Sequence, residues 1–116
     1  MHNMDRFPAV KDDAPMQEAL LEMTSKGFGI AVVVENNIVT GVITDGDLRR
    51  HMEHLLDKSA GEIASNEPIT VTKDTFVADA LRIMNGHKIG VLVVANGKGK
   101  PEGIIHLHDL LRSGAA

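Results

Sequence analysis

The sequence contains no cysteine, no tryptophan and no tyrosine, and only three phenylalanines. Without thiols there are no disulfides, no thiol nucleophile and no zinc–thiolate site, a usage that fits a reducing cytoplasm. With so few aromatic rings there is no stacking platform for single-stranded nucleic acid. Basic excess is also missing. The 12 Lys and Arg stand against 16 Asp and Glu, a formal charge of −4, so the electrostatic footprint of a nucleic-acid binder is absent. Apolar runs such as Ile30 to Val34 fall far short of the ~20 residues of a membrane span. The start, Met1-His2-Asn3-Met4-Asp5, lacks the charged-then-apolar order of a signal peptide. What remains is ordinary for a folded domain: 116 residues, 43% hydrophobic and 24% charged. A chain of this length buries about two-thirds of its unfolded surface and needs no staples.

What is present is repetition. Residues 13–35 align with 74–96 at an offset of 61, with 7 of 23 positions identical: Asp13, Ala19, Leu20, Met23, Gly29, Val32 and Val33 meet their counterparts. One inserted residue moves the offset to 62. Gly41-Val-Ile-Thr-Asp-Gly-Asp-Leu-Arg-Arg50 then meets Gly103-Ile-Ile-His-Leu-His-Asp-Leu-Leu-Arg112, with 5 of 10 identical. The chain holds two copies of one supersecondary unit, here divided as residues 1–60 and 61–116.

Each copy carries the same order of signals. Short extended pieces, Ala9-Val10 and Ile69-Thr70-Val71, come first. Asp13 and Asp74 are candidate helix N-caps, and Pro15 suits an early helical position. Met16, Ala19, Leu20 and Met23 recur at helical spacing, as do Val77, Ala80, Leu81 and Met84. Gly27 and Gly86 fall where those helices end. The β-branched runs Ile30 to Val34 and Val91 to Ala95 read as buried strands. Turns follow at Glu35-Asn36-Asn37 and at Asn96 to Pro101. Return strands run over Ile38 to Thr44 and Gly103 to His106, and a second helix opens at about Asp47 and Asp109. The order is β-α-β-β-α, twice, an α+β fold. A unit with one apolar sheet face calls for a partner, so the two are expected to pack sheet to sheet about a pseudo-twofold axis. The stretch Lys58 to Glu67 reads as the lead-in to the second copy and not as a flexible linker. Its counterpart in the first copy runs off the front of the chain, which suggests a longer parent protein.

The segment Gly41 to Arg50 is the most informative. Thr44 and Asp47 have the spacing of a capping box at a strand exit, and Gly46 allows close approach to the backbone. Such a site suits a phosphate, with the carboxylate free to accept from a ribose diol. On spacing alone the plainer reading, a well-capped helix and nothing more, comes first, because capping boxes are common. In the second copy His106 replaces the capping hydroxyl. His106 and His108 with Asp109 could line a polar cleft or, less simply, hold a metal. His87-Lys88 offers a cation for an anion. Arg49, Arg50, His51 and His54 read as solvated surface. Met16, Met23 and Met84 read as packing. No dinucleotide or Walker fingerprint and no nucleophile elbow is present, so the chain is read as non-catalytic.

Two β-α-β-β-α copies of about 60 residues, each ending in Gly-apolar-apolar-Thr/His-x-x-Asp, resemble a tandem pair of CBS domains, a Bateman module. Ala19-Leu-Leu-Glu-Met23, Ile43-Thr-Asp-Gly-Asp-Leu-Arg-Arg50 and Leu107-His-Asp-Leu-Leu-Arg112 resemble more narrowly the C-terminal CBS pair of bacterial arabinose 5-phosphate isomerases. The resemblance implies a cytoplasmic regulatory module that follows a sugar-isomerase domain, requires no cofactor, forms a homodimer through its CBS faces, and contacts neither nucleic acid nor membrane. It also implies two ligand clefts. One would draw on Thr44, Asp47, Ile69, Thr70, His87, Lys88 and Ile89. The other would draw on His106, His108, Asp109, Pro8, Lys26, Gly27 and Phe28. The aspartates would take ribose hydroxyls; Thr44 or the histidines, with Lys88 or Lys26, would take phosphate; Ile69 and Ile89 would sandwich a base. Gly29 and Gly90 stand where the family usually has proline. The family feeds synthesis of the lipopolysaccharide sugar Kdo, so the implied regulatory ligand is CMP-Kdo, with AMP or ATP as the alternative. A module that only assembles the parent enzyme, its clefts vestigial, is the other reading.

Overall fold

The computed structural model describes residues 7–26, 29–65, 69–87 and 89–107. The elements are β1 (Ala9–Val10), α1 (Met16–Ser25), β2 (Ala31–Glu35), β3 (Ile38–Ile43), α2 (Asp45–Arg50), a 3-10 segment (Met52–Asp57), α3 (Ala60–Ile63), β4 (Thr70–Val71), α4 (Val77–His87), β5 (Val91–Ala95) and β6 (Pro101–His106). They form two compact units. One spans Phe7–Pro68, and the other includes Ile69–Ala116.

Both units follow one plan. In the first, β1 pairs parallel with β2 and β2 pairs antiparallel with β3. In the second, β4 pairs parallel with β5 and β5 antiparallel with β6. The parallel pair needs a crossover, and α1 or α4 supplies it. The correspondence extends to an irregularity: the register shifts between Val33 and Val34 in one sheet and between Val94 and Ala95 in the other. These positions match at the offset of 61, so the bulge is part of the repeated unit. The α+β repeat expected from the sequence is what folds, although the second helix of the later copy, about Asp109, lies outside the described residues.

The cores lie where the spacing placed them except at Val77, which opens α4 and is exposed. Met16, Ala19 and Met23 of α1 pack with Ala31, Val33 and Ile43 of the sheet. Ala80 and Met84 of α4 pack with Leu92 and Val94. Met16 is fully buried and Met84 nearly so, which makes the methionines filling and not ligands. The β2–β3 hairpin turns on Asn36 and Asn37, both at positive φ (51° and 65°). That is the geometry of a two-residue type I′ turn, where asparagine is among the residues that tolerate the left-handed region. The second hairpin closes differently. Asn96 Oδ1 accepts from the Lys98 and Lys100 amides at 2.8 and 3.0 Å, and Gly99 sits at φ 84°.

Two expectations change. Asp13 does not cap α1. The residue before the helix is Pro15, extended at ψ 148°, with no side-chain cap, and the amide of Met16 donates instead to the Lys58 carbonyl at 3.2 Å. Proline fixes the last non-helical residue, so a carboxylate at position 13 comes too early. Asp74 is also too early, because α4 starts at Val77, and Thr75 Oγ1 accepts instead from the amide of Thr72 at 3.1 Å. The sequence repeat and the packed unit mark different segments of the chain. The division at residues 60 and 61 follows the repeat, whereas the first packed unit runs to Pro68. Ala60 and Ile63 of α3 are buried in the core with Val10, Ala14 and Met16. Burial of two apolar side chains ties this segment to the earlier unit. It is structured, as expected: Ser59 and Glu62 form a capping box around α3.

Candidate functional site

The site is built around Asp47, the one charged residue buried among the described residues, at 2% exposure. A buried carboxylate is costly unless every oxygen finds a donor. Local sequence supplies the first donors. Strand β3 ends at Ile43, Thr44 stays extended (φ −120°, ψ 174°), and α2 starts at Asp45, which puts Asp47 three residues into the helix. Asp47 Oδ2 accepts from the Thr44 amide at 2.9 Å and from the Thr44 hydroxyl at 3.1 Å. The capping box read from the sequence is present.

Two further donors come from elsewhere. The Ser65 hydroxyl donates to Asp47 Oδ1 at 3.1 Å, and Arg50 Nη2 pairs with the same oxygen. Ser65 reaches Asp47 because residues 64 and 65 lie against β3. The Ser65 amide donates to the Val42 carbonyl at 3.0 Å, and the Val42 amide to the Ser65 carbonyl at 3.3 Å. Gly41 makes room for this crossing. A Cβ there would come within 2.9 Å of the Ser65 carbonyl oxygen and 3.0 Å of Ala64 Cβ. The glycine that opens the repeated motif therefore has a steric reason, which its position in the motif alone did not reveal.

Neither Ser65 nor Arg50 was among the sequence-derived site residues. Nothing in spacing points to Ser65, since the contact spans 18 residues. Arg50 stands three residues after Asp47 on one helix face, and that acid-then-base spacing was the available signal. Above Gly46 the cationic groups come close: a Cβ at position 46 would lie 3.4 Å from Arg50 Nη1 and 4.0 Å from Arg49 Nη2.

The other expected residues are distributed as follows. Pro8 is buried beside β1, and its carbonyl accepts from the Val32 amide at 2.8 Å. Lys26 is the C-cap of α1 and half-buried. In the second unit Ile69 and Ile89 both pack against the Ala80–Met84–Leu92 core. Thr70 is exposed on β4 opposite Val93, His87 is exposed at the end of α4, and half-buried His106 ends β6 opposite Val91. Ile89 also edges a shallow groove with Leu81, Met84 and Leu107. Gly27, Phe28, Lys88, His108 and Asp109 lie outside the described residues. Among the described residues no three His, Asp or Glu are grouped to hold a metal, and no helix is long and apolar enough to cross a membrane.

The family model for the CBS domain matches residues 3–54 and again residues 60–116. The chain belongs to the CBS domain family. Its two matches make it a CBS pair, as the internal repeat implied. The arabinose 5-phosphate isomerase KdsD of Pseudomonas aeruginosa is 38% identical over 118 residues. That alignment covers 98% of this CBS pair and 36% of the isomerase, so the chain spans about a third of the length of that relative. Among solved structures, CBSX2 in complex with AMP matches with a TM-score of 0.83 at 24% identity, covering 98% of this chain and 91% of that one. The cytosolic domain of the Mg²⁺ channel MgtE in complex with ATP matches with a TM-score of 0.79 at 22% identity, covering 93% of this chain and 45% of that one. These likenesses establish the fold of the CBS pair.

Proposed function

We propose that this chain is the non-catalytic regulatory part of a cytoplasmic arabinose 5-phosphate isomerase, and that it binds a nucleotide or nucleotide sugar through Asp47. The observation that carries the reading is a buried carboxylate held by a capping box at the exit of a strand. An acceptor so fixed is preorganised for the hydroxyls of a ribose once the exposed Arg50 side chain that pairs with it moves aside. Two relatives by fold were solved with AMP and with ATP, which supports a nucleotide as the ligand class. The relationship to arabinose 5-phosphate isomerases, enzymes that feed Kdo synthesis, favours CMP-Kdo as the regulatory ligand, with an adenine nucleotide as the alternative. On the family resemblance Ile69, Thr70, His87, Lys88 and Ile89 serve the same ligand as Thr44 and Asp47. A second ligand would use His106, His108 and Asp109 with Pro8, Lys26, Gly27 and Phe28. The N-terminal sugar-isomerase domain of the parent enzyme is the partner that would read out occupancy.

Thermal unfolding with CMP-Kdo, CMP, AMP and ATP tests this directly. A ligand at 100 times its Kd adds about 2.7 kcal/mol to stability, a shift of several degrees. The expected result is a shift with one of these ligands that Asp47→Asn removes. Alanine variants of Thr70 and His87 test the wider assignment. A second reading, assembly of the parent enzyme as a homodimer through its CBS faces, is favoured by Leu21, Met52 and Leu56, exposed at 65, 64 and 68%. Absence of a shift with every nucleotide, together with a dimer in solution, would select it.

A further inference from the structure

The hydrogen-bonding capacity of Asp47 is already filled. An ionised carboxylate offers about four acceptor positions, and Asp47 receives four donors: the Thr44 amide, the Thr44 hydroxyl, the Ser65 hydroxyl and the Arg50 guanidinium. A ribose diol can reach this carboxylate only if donors leave. They are not equally free to do so. The Thr44 amide is main chain at the start of α2, and its hydroxyl belongs to the same capping box. Ser65 is fixed by a pair of main-chain hydrogen bonds to Val42. Arg50 is different. Its side chain is 65% exposed while that of Asp47 is 3% exposed, so the guanidinium covers the carboxylate from the solvent side. A long, flexible, mostly hydrated side chain can swing away without unbuilding a strand or a helix.

Leaving has a consequence for the ligand. An uncharged nucleoside would break the ion pair and offer the guanidinium only water. A phosphorylated ligand would offer it an anion, and guanidinium matches phosphate in charge and in paired donor geometry. Arg50 Nη1 and Arg49 Nη2 already stand near Gly46, a position with no side chain to obstruct an incoming group. We propose that Arg50 sets the preference of this site for phosphorylated over unphosphorylated ligands, exchanging Asp47 for the ligand's phosphate on binding. This rests on the reading of Asp47 as the ribose acceptor, and it adds a specificity-determining residue that the capping motif does not contain.

The test compares adenosine with AMP, and cytidine with CMP, on the wild-type chain and on Arg50→Met, by titration calorimetry. Methionine keeps an unbranched apolar stem and removes the charge. The nucleosides are expected to bind the variant about fivefold more tightly, the scale of one exposed ion pair, while the nucleotides bind equally or more weakly. The nucleotide-to-nucleoside affinity ratio therefore falls by at least about fivefold. Loss of a cation acting only at long range would weaken the nucleotides and leave the uncharged nucleosides unmoved, and that result overturns the proposal. An unchanged ratio overturns it too. If wild type binds nucleotide, Asp47→Asn abolishes binding and the ratio does not move with Arg50→Met, the ligand site stands and only the role of Arg50 falls. If neither form binds any probe, both readings fall. A urea melt of each variant, followed by circular dichroism, verifies that it is folded.

Discussion

Replacing Asp47 by alanine should be the most damaging single polar substitution in the Phe7–Pro68 unit. The carboxylate accepts from the Thr44 amide at 2.9 Å, the Thr44 hydroxyl at 3.1 Å and the Ser65 hydroxyl at 3.1 Å, and it pairs with Arg50. Loss of a capping side chain costs about 1 kcal/mol. The bond from Ser65 to a charged acceptor adds about 1.5 kcal/mol. The Arg50 pair adds about 0.5 kcal/mol, because one partner is mostly in water. Together these amount to about 3 kcal/mol, or roughly 10 °C in Tm for a chain of this size. The assay is urea unfolding followed by far-ultraviolet circular dichroism, since the chain has no Trp or Tyr to report. Asp47→Asn should fall between alanine and wild type, because its carbonyl oxygen can still accept from Thr44. Arg50→Met should cost least. A loss below about 0.5 kcal/mol for Asp47→Ala, the range of ordinary surface changes, would refute the view of Asp47 as the organising group of this unit.

Two further outcomes follow from the same geometry. Gly41→Ala should destabilise by about 1–3 kcal/mol, the scale of overpacking, because its Cβ would meet the main-chain oxygen of Ser65 at 2.9 Å; amide shifts at Ser65 and Asp47 in a two-dimensional NMR spectrum should move together. The Glu62 carboxyl is held below its ordinary pKa of 4.5, first by the Ser59 amide and then by the Ser59 hydroxyl, against desolvation, with the Lys58 charge the least of the causes. A lowered folded-state pKa gives stability that is present above the unfolded value and is lost as pH falls through the folded one; an NMR titration should place the Glu62 midpoint below 4.5, and Ser59→Ala should raise it.

Much of this architecture was legible in the sequence because it rests on short-range rules. The 61-residue offset exposed the repeat, the helical spacing of Met16, Ala19 and Met23 exposed a core face, and the Thr44–Asp47 spacing exposed a capping box that folds as read. What escaped depends on contacts distant in the chain. The start of α1 is governed by Pro15 and by the Lys58 carbonyl, 42 residues from the Met16 amide it satisfies. Ser65 joins Asp47 only because residues 64 and 65 lie across β3 at Gly41. The division of the chain into packed units differs from the division into repeats for the same reason. Ile63 falls in the second copy by the repeat but is buried in the core of the first unit. Arg50 was visible as a charge three residues from Asp47, yet a solvated helix face and an ion pair over a buried carboxylate look alike in one dimension.

The central claim is that Asp47 is the acceptor for a nucleotide's ribose. The most direct measurement is calorimetric titration of the wild-type chain and Asp47→Asn with CMP-Kdo, CMP, AMP and ATP, with both proteins verified as folded by circular dichroism. The account predicts saturable binding of one of these ligands by wild type and at least a tenfold loss in the variant. Binding that the variant retains in full, or no binding by the wild-type chain, would contradict it.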